Sequence, residues 1–598
     1  MSLNVHRSFI ALMLLSVVGS PLSAAVSTSA LTGRVTSGGK AVANATITAT
    51  SPALLHERVT TTGSNGTYWL GALPPGNYEV TFASKGLQTL TRRAVVELAR
   101  VARADAQLEP SEDEESVTST ATTISVVHDT ALTFHRDAKS LDLLPMPITL
   151  SSALYLAPAS FSTVPATELD ELPIRVTENP LVDETAEELT FVRGVTPLEY
   201  VHGGDTAIAA RTRSGGETLS VSVRDTITSG AWLGEAFRFV RDDGGPQHFL
   251  ESSSGGRIVP NRLWFFAAGW GGSRADGTPL DRRGVELKLT AQLDERQNLA
   301  ATFIDDEIDF AGSGDQGSSL FSLVHIAQWN PRVISEIAAG RSRAELNIGP
   351  FPVMHEHEDS VSAKASFVAG DHVLSGGVDY SDSDSRALFV SDRLWLDRWV
   401  VNAGVRYGGN GSTAFPSNDN ELSAQVAATY DLRGRGRNAV TASATRYSSN
   451  IDELTLGYIM ALGSTGSARL IAIRKEFENA FAFTALQLDS SYRLFDRFEA
   501  GLNYTYTDTY RDRFPVSQIP SHVANAWFSA EIPLGTQSLG AMVAYRYSNA
   551  SSIDLALRYT VPVKRVALTF AADALNVFDQ GVPLQYPRVV RGWVRVRL

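Results

Sequence analysis

Residues 285–294 read Val-Glu-Leu-Lys-Leu-Thr-Ala-Gln-Leu-Asp. Successive side chains of a strand point to opposite sides, so Val285, Leu287, Leu289, Ala291 and Leu293 share one face. Glu286, Lys288, Thr290, Gln292 and Asp294 share the other. The pattern recurs in Phe498, Ala500, Leu502, Tyr504 and Tyr506 against Glu499, Gly501, Asn503, Thr505 and Thr507. Leu539, Ala541, Val543, Tyr545 and Tyr547 alternate with Ser538, Gly540, Ala544, Arg546 and Ser548. At the end of the chain Val590, Gly592, Val594, Val596 and Leu598 oppose Arg591, Trp593, Arg595 and Arg597.

Periodicity alone fits a soluble sandwich with an apolar core, or a membrane barrel whose apolar face meets lipid and whose polar face lines a lumen. Three observations select the barrel. Such segments number about 22 over about 380 residues, too many for one sandwich and natural for a closed barrel. Aromatic residues gather toward segment ends, at Tyr506, Tyr510, Tyr545 and Tyr547, as interfacial girdles require. The N-terminus supplies an export route: His6 and Arg7 precede an apolar run from Phe9 to Val18, and Ser23-Ala24-Ala25 ends it with small residues. This reads as a cleaved signal peptide over residues 1–25, too short to span a bilayer.

Composition closes off other classes. The 598 residues are 43% hydrophobic and 20% charged, with a formal charge of −13, which excludes general disorder and a basic nucleic-acid-binding footprint. No cysteine is present, so disulfides, cysteine-ligated zinc and thiol nucleophiles are excluded. Beyond the N-terminus no apolar run reaches the length of a membrane-spanning helix.

Between the export signal and the barrel lie two further units. Ala45, Ile47 and Ala49 alternate with Asn44, Thr46 and Thr48, and Asn65-Gly66 marks a tight turn before Thr67-Tyr-Trp-Leu70. Residues 26–110 therefore predict a small β-sandwich. The stretches "TGRVTSGGKAVANATITAT", "GSNGTYWLGALPPGNYEVTFASKG" and "ARADAQLEP" resemble the carboxypeptidase-regulatory-like domain, an accessory module that implies no peptidase. Residues 111–215 open with the acidic run Ser111-Glu-Asp-Glu-Glu-Ser116. They continue through Leu141-Asp-Leu-Leu-Pro-Met-Pro147, Phe191-Val-Arg-Gly194, Pro197-Leu-Glu-Tyr200 and Ala209-Ala-Arg-Thr-Arg-Ser-Gly-Gly216. With the barrel over 216–598, and with "VALTFAADALNVFDQ" and "YPRVVRGWVRVRL" near its end, they resemble the TonB-dependent outer-membrane receptors that carry such an N-terminal domain. The stretch between Tyr200 and Arg211 is shorter than the family pattern, which implies a shortened plug.

The expected fold is all-β: a transmembrane antiparallel barrel of about 22 strands, preceded by a plug-like segment and a sandwich. The resemblance implies an outer-membrane receptor that binds or imports a bulky nutrient. Its implied partners are outer-membrane lipid, the barrel-assembly machinery, the TonB energy-transducing complex and an extracellular ligand. The sandwich would lie in the periplasm, and the pulled segment would be Glu115, Ser116, Val117 and Thr118, for which a plain linker is the competing reading. The alternatives are a passive or structural outer-membrane barrel with an adhesion or docking sandwich, and a secreted carbohydrate-binding β protein.

No enzymatic motif is expected to operate, and no cofactor is implied. His355-Glu-His-Glu358 with Asp359 has the spacing of a zinc pair, with His325 or His372 as the third ligand. It follows Pro350 and Pro352 without a helix to present it, so a solvated connection is expected. Asp305-Asp-Glu-Ile-Asp309 lacks the ligand spacing of a calcium loop. A domain as small as the plug buries a low fraction of its surface. It should therefore be held by Arg, Asp and Asn of the lumen wall rather than by a core of its own.

Overall fold

The computed structural model describes residues 29–598 outside a set of connecting segments, the longest being 112–119, 123–130, 158–165, 175–180, 199–205, 233–245, 274–280, 409–420, 512–521 and 579–587. The export signal and Glu115, Ser116, Val117 and Thr118 lie outside the described residues.

Twenty-two antiparallel strands, from Ser220–Thr228 to Val589–Arg597, form a closed barrel. The first strand pairs with the last, Ser222 opposite Arg597 and Thr228 opposite Arg591, so no edge is left open to other chains. The alternation works as expected. In Asp281–Asp294 the outer side chains Leu287 and Leu289 are 53% and 48% exposed, whereas Glu286 and Lys288 are buried inside. The outer wall is a belt of exposed Leu, Val, Ile, Phe and Tyr, the surface a hydrocarbon phase would cover. One rim carries tight turns such as 260–262, 370–371, 535–536 and 564–565, and the other carries connections as long as 229–246 and 409–420.

The plug is a five-stranded sheet inside the barrel, ordered Ala131–Asp137, Ala186–Gly194, Thr206–Thr212, Ala166–Leu169 and Leu172–Ile174. A short helix, Ala138–Asp142, starts where Asp137 accepts from the Ser140 amide at 2.8 Å. Contrary to the expectation of a coreless plug, Leu141, Leu144, Leu169, Leu189, Phe191 and Ile208 form an apolar cluster. The cluster continues into the wall through Trp270, Ile304, Leu320, Trp527 and Met542. The plug thus shares a core with the barrel, because several wall strands turn apolar side chains inward where it sits.

The N-terminal sandwich consists of two sheets around Leu31, Val35, Ile47, Leu70, Val80 and Phe82. Strand Thr120–Thr122, within the segment read as linker, adds in parallel to the edge of one sheet, with Ala121 opposite Arg92.

Candidate functional site at the plug seat

The site is the surface on which plug and wall meet. Three features of the plug set it up. The helix ends at Asp142, and Pro145 and Pro147 prevent its continuation, leaving the Asp142 and Leu144 carbonyls without helical partners. Arg558 supplies them, Nε donating to Asp142 O at 2.8 Å and Nη2 to Leu144 O at 3.1 Å. The Asp142 carboxylate receives both terminal nitrogens of Arg595, at 2.8 and 2.7 Å, a bidentate pair. Burial alone would raise the Asp142 carboxyl, but Arg595, with Arg213 and Arg597 behind it, holds it well below the ordinary carboxylate range.

Next, Leu156 takes a left-handed backbone, φ +61°, a strained conformation for a branched residue. Asn503 Nδ2 donates to its carbonyl at 2.5 Å, and Asn525 donates to the neighbouring Ala157 carbonyl at 3.2 Å. Tyr155 Oη donates to Asp554 at 2.8 Å. The wall therefore holds a turn that the plug alone would not favour.

The third feature is a charge lattice. Asp183 lies 3.3 Å from Arg224 and 3.8 Å from Arg591. Glu184 lies 3.8 Å from Arg595 and 3.9 Å from Arg213, and its amide donates to Glu251 at 3.2 Å. Burial would raise the Glu184 carboxyl, and Arg213, Arg595, Arg597 and Arg224 outweigh it and lower it. The Trp593 ring is packed by the Arg224, Arg558 and Arg595 guanidiniums, 4.0, 4.7 and 5.3 Å from its centroid, which keeps these cations in place.

Asp170, in the middle of the plug, accepts from the Thr212 amide at 3.0 Å, the Thr212 hydroxyl at 2.7 Å and Lys288 Nζ at 2.9 Å. Farther round the wall, Arg406 donates to Leu198 O at 3.1 Å and to Asp379 at 2.7 Å, while Leu198 packs on Phe389 and Tyr447. The expected pairing of plug backbone with wall Arg and Asn is thus present, and it adds to the shared apolar core.

The candidate metal groups are not assembled. A spacing of three on a strand puts His355 and Glu358 on opposite faces of Met354–Ala369. His355 lies 3.5 Å from Glu345, while Glu358 accepts from Ser381. His372 bonds Asp392 at 2.7 Å and His325 lies 3.3 Å from Gln297, each on its own strand pair. Asp305 and Asp306 likewise diverge, Asp306 turning inward to Arg282 and Trp270 at 2.8 Å. Among the described residues no group of three or more His, Asp or Glu could hold a metal ion.

Against solved structures, the siderophore receptor PirA from Pseudomonas aeruginosa superposes with a TM-score of 0.61 at 14% identity, over 78% of this chain and 99% of that one. PirA from Acinetobacter baumannii gives 0.62 at 10% identity, over 79% and 98%. The fold is that of plugged siderophore receptors. The ferric-catecholate import receptor Fiu from E. coli K12, in its open form, gives 0.61 at 11% identity, over 79% and 97%. At these identities the likeness is one of architecture, and it agrees with the resemblance read from the sequence. Residues 30–109 match the carboxypeptidase regulatory-like domain model. No curated protein sequence matches this chain.

The wall half of the seat was visible as lumen-facing Lys288, Arg591 and Arg595, given the barrel reading. The plug half, Asp142, Asp170, Asp183 and Glu184, carried no local signal. Acidic residues in a loop-rich segment look the same whether they meet water or a buried arginine.

Proposed function

We propose that the chain is an outer-membrane receptor that binds an extracellular ligand from the long-connection side and admits it when the plug shifts. The observation that carries this reading is a separate compact domain held inside a closed barrel by ion pairs and shared apolar packing. Such a domain blocks free flow, yet its seat can be broken and remade. On this reading the tight-turn rim and the sandwich face the periplasm, outer-membrane lipid covers the apolar belt, and the barrel-assembly machinery inserts the chain. The TonB complex would supply the pull on Glu115, Ser116, Val117 and Thr118, and catalysis has no part. Because PirA is a siderophore receptor and Fiu an import receptor for ferric catecholates, iron chelates are the first bulky ligands to screen.

Fractionation tests the location: the protein should pellet with outer membranes and migrate heat-modifiably on gels, and recovery as a soluble periplasmic protein would overturn the barrel in lipid. Deleting residues 112–121 tests the coupling. Uptake should be abolished with binding retained, whereas unchanged uptake would favour a passive barrel.

A further inference from the structure

A lumen wall is expected to be polar, yet at the tight-turn mouth four inward-facing positions are apolar: Ile334, Val368, Val373 and Trp395. Each shares its strand parity with residues that contact or face the plug: Gly340 lies under Leu172, Phe389 packs on Leu198, and Lys364 and Asp379 are buried inside. What covers the four is the N-terminal sandwich. Ala30 and Trp69 join Val373 in one buried cluster against Ile334, Val368 and Trp395, and the two indoles lie 6.2 Å apart.

Around this contact the fit is specific. Asn65, at the tip of the tight turn whose Gly66 has φ +77°, donates from Nδ2 to Asp371 at 2.8 Å. Its Oδ1 meanwhile accepts from the Thr67 amide and hydroxyl, so the amide is fully oriented. Thr67 Oγ1 also lies 3.2 Å from Gly370 O, so its one proton is shared between that carbonyl and Asn65. Gly71 leaves the room Ile334 needs: a Cβ there would lie 1.8 Å from Ile334 Cδ1. On its inner side the sandwich lies within electrostatic range of the plug. Arg211 and Glu188 both act electrostatically on the buried Tyr78, and Asp294 of the wall acts on Arg58.

We propose that the sandwich is a second closure of the barrel, seated in the tight-turn mouth behind the plug, and that it must leave this seat before anything passes. The proposal needs neither energised import nor a particular ligand, since a passive barrel would be closed the same way. It gives the regulatory-like domain a mechanical task within its own chain.

The absence of native cysteines makes the test clean. In full-length protein, Asn65→Cys with Asp371→Cys should form an intramolecular disulfide on oxidation, because the native side chains already meet across the seat. Gly71→Phe should unseat the sandwich without unfolding it, since the position is on a strand, where an aromatic residue is favoured over glycine. Because the seated plug also blocks flow, conductance is read in planar bilayers in the Arg595→Ala background, which loosens the plug, and there Gly71→Phe should conduct severalfold more than Arg595→Ala alone. The oxidised cysteine pair, in the same background, should stay at the Arg595→Ala level or below it, with opening events that return on reduction. Failure of the disulfide to form in folded protein would overturn the docking. Equal conductance of Arg595→Ala with and without Gly71→Phe would overturn the closure. If Gly71→Phe does not accumulate, the cysteine pair alone decides: identical traces in its oxidised and reduced states would overturn the proposal.

Discussion

The barrel holds two domains by unlike means. The plug is fixed by buried charge: Asp142, Asp170, Asp183 and Glu184 meet Arg595, Lys288, Arg224 and Arg591 away from water, above a shared apolar core. The sandwich is held by a small apolar cluster in which Ala30 and Trp69 meet Val373, Ile334, Val368 and Trp395, with one side-chain pair and one backbone carbonyl contact at the rim. Breaking a buried pair leaves an unpaired charge in low dielectric, whereas the groups at the sandwich seat can be rehydrated as it leaves. The difference implies an order of release: sandwich first, plug second.

The strongest way to break that contrast is at the plug. Arg595→Ala removes both donors from Asp142 and one cation from Glu184, and should destabilise the seated plug by about 3–5 kcal/mol. Faster hydrogen exchange over residues 131–144 and 181–194, with barrel strands unchanged, is the expected reading. Acid attacks the same groups. Asp142 and Glu184 lie below their ordinary values of 3.8 and 4.5, so their contribution is complete above about pH 4.5 and is lost as pH falls through the lowered values. The plug's thermal midpoint, followed by near-ultraviolet circular dichroism, should fall as pH drops below that point. In Arg595→Ala the drop should be smaller, because both carboxyls then lose a cation that lowers them.

A smaller loss sharpens the comparison. Thr212→Val deletes the hydroxyl's hydrogen bond to the charged Asp170 and the one it accepts from Lys288, while keeping its volume and the Lys288–Asp170 pair, and should cost about 1.5–3 kcal/mol in denaturant unfolding. At the sandwich seat, Asn65→Ala removes a partly exposed bond to Asp371 and should weaken docking by about 0.5–1.5 kcal/mol. Hydrogen exchange should then rise at 67–73 and leave the plug as it was. Smallest of all, Arg283→Ala at the exposed pair with Glu307 on the outer wall should change neither seat measurably.

How far the sequence carries follows the same division. The barrel is legible because lipid and lumen impose a period of two on each strand, so Val285 to Asp294 declares both faces without knowledge of any partner. The sandwich is legible as strands and turns, and Asn65-Gly66 declares itself as a turn. Nothing local says that the tip of this turn docks, because Asp371 lies far along the chain and its own turn looks like any other. Asp142 and Arg595 are likewise brought together only when the barrel closes around the plug. The plug core was missed for a related reason. Its apolar side chains are too few to enclose one another, and the missing half comes from inward-facing Trp270, Ile304 and Trp527 of the wall.

The ordered release of the two domains is tested most directly by native-state hydrogen exchange on the full-length protein in lipid. The account predicts that amides of the sandwich's docking strand, Thr67–Leu73, and of the mouth around 370–373 exchange together. They should do so at lower denaturant than the plug amides of Ala186–Gly194 and Thr206–Thr212. Exchange of the plug before the mouth, or of both in a single step, would contradict it.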